Sequence, residues 1–387
     1  MLHLWEQDSS AYVLWGIVVG FMHIAVVALL KPSQVKYKIT PLLESRFVTH
    51  LSLFRKELYR GADDKLKQHV LPRVFRFKII YWTATPFYVA YCLKNKKTDL
   101  IITYGLLPHA FFAVIVSKLL KKPLIYSQID EVDIAWHKSL FGKPFIKLLI
   151  HSLYEINVPG TLSKQYFSRI TPIRINILHS TIDTEEFAPL QQKKEFDFIY
   201  VGVLSELKRV DLLVKAISVM VESGFETNLA VIGYGEQKPF LEQLVRDKGL
   251  QNHVKFMGAQ RVDKYLLSRA KVFCMASRSE GLPCALMEAM SCSLICIATP
   301  VGNIPDVLLP EKTGYLFESA DPNIMATQMR RIIENYHNLE QVMFNARELI
   351  DREHSYHSAT QKWDEILGSF LYGKRYFSPI TVSARNA

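Results

Sequence analysis

The sequence predicts an α/β protein of two lobes with a cleft between them, and three observations carry that prediction. The chain has 387 residues and 49% hydrophobic content, enough for two domain-sized cores. Short apolar runs recur, each ending in glycine or polar residues: Phe198–Val201 before Gly202, Ala230–Ile232 before Gly233, Val254–Met257 before Gly258, and Lys271–Ala276 before Ser277. Runs of that length suit buried parallel strands, which are apolar on both faces. Finally, Ala188–Glu195 is polar, carries Pro189 and separates two apolar patterns, which puts the joint between the lobes there.

From the amino end, Ala11–Leu30 is almost entirely apolar and stops at Lys31. Two readings are open. Its length meets the rule for a membrane-spanning helix. Alternatively His23–Leu30, after Met22, is the first strand of a lobe, and residues 1–21 are an apolar extension. The strand is favoured, because no other segment offers it as well. A secretory signal is not expected, since a charged n-region and a small-residue cleavage site are missing. Phe47–Phe54 suits a second strand. Arg73, Arg76 and Lys78 precede the aromatic apolar run Ile79–Leu93, and Lys94, Lys96 and Lys97 follow it. That composition fits an interfacial anchor and equally a buried helix of the lobe. Thr98–Thr103 reads as a strand, Gly105–His109 leads into a helix over Ala110–Leu120, and Pro123–Asp130 is the next strand with its carboxyl-end loop.

Beyond the joint, the most informative stretch is Ser277–Met290. Pro283 is preorganised for a first helical position and Cys284–Met290 are good helix formers, so a helix begins near Pro283. Its free N–H groups and positive dipole end then face outward at the carboxyl edge of the sheet, where open α/β folds seat phosphates. Glu280 stands just before this seat, within reach of a sugar, and Glu288 lies more than one turn into the helix, placed to accept ribose hydroxyls. A lone pair of glutamates in such a setting is more often a solvated carboxylate and an ordinary helix residue. Gly233-Tyr234-Gly235 lacks a third glycine and a ribose acid, so it is not read as a nicotinamide site. Tyr356–Leu371 has helical spacing, and after Tyr372 the pattern fades into a tail expected to be mobile.

Taken together, the motifs resemble the family-4 retaining glycosyltransferases over most of the chain. The E-x7-E pair Glu280 and Glu288 is followed by Ile295–Asp306, with its turn at Gly302, and by Lys312-Thr313-Gly314, like the family's second strand, glycine-rich turn and "TG" hairpin. Phe198–Lys208 looks like its strand, turn and phosphate-binding cation. Ala230–Gly235 and Val254–Gly258 look like its next two strands. Leu178–Asp183, with Phe187 and Pro189, sits where the family joins its lobes. The resemblance implies the GT-B architecture, two Rossmann-like lobes with a cleft: an acceptor-binding lobe over 22–188, a nucleotide-sugar-binding lobe over 196–354, and over 355–387 a helix returning to the first lobe plus a tail. It implies catalytic roles for Glu280, Lys208 and Asp130. Donor contacts fall to Gly202, Lys208, Gly258, Gly281, Leu282, Pro283, Cys284, Ala285 and Glu288, and the acceptor side to His109 and Gln128. It also implies no cofactor beyond the nucleotide-sugar co-substrate, and no metal.

The chain departs from the family at four places. Lys31–Lys38 stands where relatives carry a glycine-rich loop, so that loop's contacts do not transfer. Ile129 replaces a sugar-facing histidine, with Asp130 matching its usual neighbour. Val203 replaces an arginine five residues before Lys208. Ser293 stands where relatives often have glycine. Arg209 is a candidate replacement cation, though adjacent side chains point apart. His109 is a candidate for part of the missing histidine's role, although a lone histidine near an apolar helix is more often structural.

Charge is uneven. The chain carries +10 in total, and Lys31–Ile150 alone holds 21 Lys and Arg against 8 Asp and Glu, so the first lobe is +13 and the rest −3. A basic lobe suits nucleic acid, an anionic membrane surface or an acidic acceptor. No helix-turn-helix, zinc finger or aromatic–basic module is present, so nucleic acid is set aside and the membrane surface preferred. The five cysteines, Cys92, Cys274, Cys284, Cys292 and Cys296, lack C-x-x-C spacing and read as reduced thiols, and the twelve histidines are scattered without metal-ligand spacing. The expectation is a cytoplasmic enzyme, peripheral on the inner face of the cell membrane, with an N-terminal anchor as the open alternative. It moves a hexose-type sugar from a nucleotide donor to a glycan or lipid-linked acceptor in cell-envelope polysaccharide or lipid-glycan synthesis. Lys208 and the amides near Leu282 to Ala285 stabilise the departing diphosphate without a metal. Two rivals are a nucleotide-sugar epimerase on the same fold and a catalytically silent, membrane-associated nucleotide-sugar-binding protein, the latter suggested by Val203, Ile129 and Ser293.

Overall fold

The computed structural model describes residues 11–14, 17–28, 30, 32–55, 63–105, 109–129, 146–147 and 149–376. Asp130 and the tail beyond residue 376 lie outside the described residues. Strands β1 (Ala11–Leu14) and β2 (Ile17–Gly20) pair antiparallel as a separate ribbon. Strands β3 (Met22–Val27), β4 (Val48–Arg55), β5 (Leu66–Val70), β6 (Leu100–Tyr104), β7 (Leu124–Ser127), β8 (Glu155–Val158) and β9 (Ile175–Ile177) form one parallel sheet in the order β5-β4-β3-β6-β7-β8-β9.

Of the two readings of Ala11–Leu30, the strand is the one observed. Met22–Val27 pairs with β4 on one side and β6 on the other, and Ile24, Ala25 and Val26 are at most 2% exposed. A parallel strand covered on both faces must be apolar at every position, so its composition imitates a membrane span. Among the described residues no helix is long and apolar enough to cross a membrane. The polar edge strand β5, Leu66-Lys-Gln-His-Val70, has no counterpart in the sequence reading, because half-exposed edge strands lack an apolar run to betray them.

Where relatives carry a glycine-rich loop, this chain has a helix, Pro32–Glu44. Pro41 inside that helix has no N–H to give to the Tyr37 carbonyl. Thr181 Oγ1 donates to that carbonyl instead, at 2.6 Å, and Tyr104 Oη donates to the next one, Lys38 O, at 3.2 Å. The helix is thereby tied both to the sheet and to the segment joining the lobes. The aromatic run forms the helix Lys78–Lys94, with Tyr81, Thr85, Val89 and Leu93 buried against the helix His109–Leu120 and its opposite face bare.

The second sheet contains β10 (Phe196–Val201), β11 (Leu229–Ile232), β12 (Val254–Gly258), β13 (Ala270–Met275), β14 (Ile295–Ala298) and β15 (Tyr315–Leu316), parallel throughout in the order β12-β11-β10-β13-β14-β15. The last helix, Tyr356–Tyr376, returns to the first lobe. There Trp363, Ile366, Leu367 and Phe370 share a core with Met22, Ile24, Val26 and Leu42, and Ser45 Oγ donates to Asp364 at 2.6 Å. Trp363 is 1% exposed. Trp363→Ala is therefore expected to cost about 3–5 kcal/mol, read as a lower urea midpoint; an unchanged midpoint would remove this helix from the load-sharing core.

Candidate active site

Each sheet reverses its strand order once near its centre, between β3 and β6 in the first and between β10 and β13 in the second. Loops leaving the carboxyl ends of strands at such reversals flank the crevice where open α/β sheets hold ligands. Because β10 and β13 are neighbours, with Ile199 opposite Phe273, the loops that follow them lie side by side. The first carries Gly202, whose N–H closes onto Ile232 O at 3.0 Å, and ends in the short 3₁₀ turn Glu206–Lys208. The second carries Glu280. Lys208 Nζ and Glu280 Oε1 meet at 2.5 Å, with side chains 25% and 9% exposed, so two residues far apart in sequence form one shielded ion pair at the switch point.

The helix after Glu280 runs Cys284–Ser291, and Pro283 caps it in an extended conformation instead of occupying its first turn. Proline has no N–H, so Pro283 shapes the seat while the amide donors must come from its neighbours Leu282, Cys284 and Ala285. Gly302 braces the loop from the strand next door: its φ is +60°, and a Cβ there would lie 2.1 Å from Glu280 O. Only glycine permits that approach. The following amide, Asn303 N, donates to Gly281 O at 2.9 Å. Gly258 ends β12 and accepts from Gly233 N at 2.9 Å, at the same carboxyl edge.

Glu288 is 8% exposed, and Tyr37 Oη from the first lobe donates to its Oε1 at 3.3 Å. Burial pushes this carboxyl up to about 7, the Glu186 charge adding to the rise, while the Tyr37 bond and the Lys36 charge pull it down. Beside Tyr37, Lys36 Nζ bridges Glu186 at 2.5 Å and Asp183 at 3.2 Å, and the Lys36 bond holds the Glu186 carboxyl below its usual range, with Arg261 assisting at 2.9 Å. A second cross-lobe contact lies beside the Glu280 loop. Thr161 Oγ1 donates to the Asp306 carboxylate at 3.0 Å, and the amide of Asn303 packs directly on Gly160, where a Cβ would come within 2.7 Å of Asn303 Cγ. Asn303 is 1% exposed, and neither its Oδ1 nor its Nδ2 has a hydrogen-bond partner among the described residues. A buried amide left open in this way costs about 1–3 kcal/mol.

His109 opens its helix at the switch point of the first sheet, lining a crevice with Val27, Ala28, Tyr81 and Phe112, and Gln128 follows β7 with its N–H on Asn157 O at 2.9 Å. Arg209 has φ +50° and faces a separate crevice with Gln237, Phe240 and Arg278, turned from Lys208 by that left-handed residue. Tyr37 and Asn303 received no role from sequence. Tyr37 lies within Lys31–Lys38 and Asn303 within Ile295–Asp306, but nothing local marks a residue whose partner comes from the other lobe.

Comparison with known proteins agrees with this geometry. Residues 181–349 match the family described as glycosyl transferases group 1. The chain is 25% identical over 259 residues to N-acetyl-alpha-D-glucosaminyl L-malate synthase of Bacillus anthracis, covering 62% of this chain and 67% of that one. It is 28% identical over 172 residues to the phosphatidylinositol N-acetylglucosaminyltransferase gpi3 subunit of Schizosaccharomyces pombe, covering 43% of this chain and 37% of that one. The chain thus spans between about a third and two thirds of these relatives' lengths. Among solved structures, Anabaena Alr3699/HepE in complex with UDP superposes with a TM-score of 0.73 at 16% identity, over 90% of this chain and all of that one. Sucrose-phosphate synthase of Thermosynechococcus elongatus gives 0.71 at 16% identity, over 91% and 100%.

Proposed function

We propose that the protein is a retaining glycosyltransferase, since residues 181–349 match the family described as glycosyl transferases group 1 and the chain has the GT-B fold. It transfers a hexose-type sugar from a nucleotide sugar, without a metal ion, to a glycan or lipid-linked acceptor. The observation that carries this reading is the Lys208–Glu280 pair beside the start of the Cys284–Ser291 helix. A nucleoside diphosphate departs as negative charge accumulates. Lys208 and the amides at the helix start meet that charge in a preorganised, shielded setting, the kind of interaction that strengthens in the transition state. Glu280 orients Lys208 and accepts from a sugar hydroxyl. Glu288 accepts from the ribose, and Tyr37 covers it from the opposite lobe.

In this reading residues 196–354 bind the donor and residues 22–188 the acceptor, with His109 and Gln128 on the acceptor side. Uridine donors are the first choice, because the similar Anabaena structure holds UDP and, in another crystal, UDP-glucose. The basic first lobe supports an acceptor presented at an anionic membrane surface, as in polysaccharide or lipid-glycan assembly, and five free cysteines support the cytoplasmic side. A nucleoside diphosphate at a hundred times its dissociation constant is expected to stabilise the protein by about 2.7 kcal/mol, seen as a raised melting temperature. UDP release from UDP-glucose or UDP-N-acetylglucosamine in the presence of acceptor is expected to persist in excess EDTA. A protein that no nucleoside diphosphate stabilises is not a glycosyltransferase of this kind, and one that binds them without turnover is the silent binding protein. Turnover abolished by EDTA would overturn metal independence alone.

A further inference from the structure

The bare face of the helix Lys78–Lys94 has no role in the site described above. Ile79, Thr83, Phe87 and Tyr91 recur every four residues and form one exposed ridge along it, with Ile79 and Tyr91 each 79% exposed and Phe87 59%. Phe77, 68% exposed, extends the ridge at the amino end, and Trp82, 44% exposed, lies beside it with its ring 5.8 Å from that of Phe112. Soluble proteins scatter single exposed apolar residues, but a row of large ones on one helix marks a contact surface.

Charge identifies the occupant. Residues 65–98 contain eight Lys and Arg and no Asp or Glu. Arg73 and Lys78 are exposed at the amino end of the ridge, and Lys94 and Lys97 at its carboxyl end. A helix of this length is about 25 Å long, so an apolar aromatic strip lies between two cationic ends. We propose that this face docks on an anionic phospholipid surface, the helix lying in the plane of the headgroups, Ile79 and Phe87 entering the acyl boundary and Lys78, Lys94 and Lys97 engaging phosphates. Tyr and Trp at headgroup depth and cations at the surface are the composition such a helix requires. The proposal rests on the functional reading above only for what the membrane presents: the buried side of the same helix, through Tyr81, Thr85 and Val89, lines the crevice that His109 lines, so docking holds His109, which that reading gives to the acceptor side, close to the bilayer.

The test is flotation of the full chain with vesicles of phosphatidylcholine, alone and mixed with phosphatidylglycerol. Binding is expected to the mixed vesicles only and to fall as salt rises from about 0.1 M to about 1 M, where the Debye length shrinks from about 10 to about 3 Å. The triple variant Lys78→Gln/Lys94→Gln/Lys97→Gln is expected to bind roughly a hundredfold more weakly, and Ile79→Ser/Tyr91→Ser at least tenfold, both with the wild-type melting temperature and donor turnover. Wild-type protein that stays free of mixed vesicles at low salt overturns the docking and leaves a protein partner for this face. Variants that fold and float like wild type overturn it too, by moving the contact elsewhere. Vesicle binding by a protein without donor turnover upholds the docking and sinks the enzymatic reading, whereas turnover without vesicle binding does the reverse.

Discussion

Replacing either Glu280 or Lys208 by alanine is expected to lower turnover by roughly 10²- to 10³-fold, about 3 to 4 kcal/mol of lost transition-state stabilisation. The two side chains meet at 2.5 Å and are both shielded, so each sets the geometry of the other. Without Lys208 no side-chain cation of the pair faces the departing diphosphate. Without Glu280 the ammonium loses its fixed position and the sugar loses an acceptor. Because the pair acts as a unit, the double variant is expected to fall short of the product of the two single losses, the signature of coupling between residues in contact. A melting temperature close to wild type in each variant keeps the measurement about chemistry. Turnover near wild type in either single variant would remove this pair from the mechanism.

Glu288→Gln is expected to separate stability from donor affinity. Burial raises the Glu288 carboxyl from about 4.5 in the unfolded chain to about 7 in the folded protein. Between those values the folded state holds a proton that the unfolded state has released, so stability falls as pH rises through this window, and the penalty is complete above it. Glutamine carries no such penalty. The variant is therefore expected to gain stability over wild type progressively from pH 5 to pH 8, reaching on the order of 3 kcal/mol in the absence of donor. Over the same range its donor KM should rise, because a ribose contact is made in both ground and transition states, while kcat changes less. A stability difference that stays flat with pH would refute the buried, proton-holding carboxyl. An unchanged donor KM with a collapsed kcat would make Glu288 a participant in the chemistry.

The parts legible in sequence are those whose signal is local. The strand–turn–helix around Glu280 and Glu288 combines an apolar run, a capping proline and helix formers within twenty residues, and the structure contains β13, the Pro283 cap and the Cys284–Ser291 helix. The pairing of Lys208 with Glu280 was approachable because each follows a strand and strands at a sheet's centre lie side by side. Other features had no local signal. Strand β3 and a membrane span share one composition, so only its neighbours β4 and β6 distinguish them. The aromatic helix Lys78–Lys94 satisfied two descriptions because one of its faces is buried and the other bare.

By itself, then, the amino-acid sequence determined the α/β class, the resemblance to a two-lobed transferase and the local element that carries both glutamates. These depend on hydrophobic period, turn residues and capping, which act over a few residues. Only the tertiary structure decided that Pro32–Glu44 is a helix presenting Tyr37 to the second lobe, that Tyr37 reaches Glu288 across 251 positions of chain, and that the Asn303 amide lies buried against Gly160 with no hydrogen-bond partner among the described residues. Each of those depends on how two lobes face one another, and burial, hydrogen bonding and the proton affinity of Glu288 all follow from that facing, for which a linear pattern carries no term.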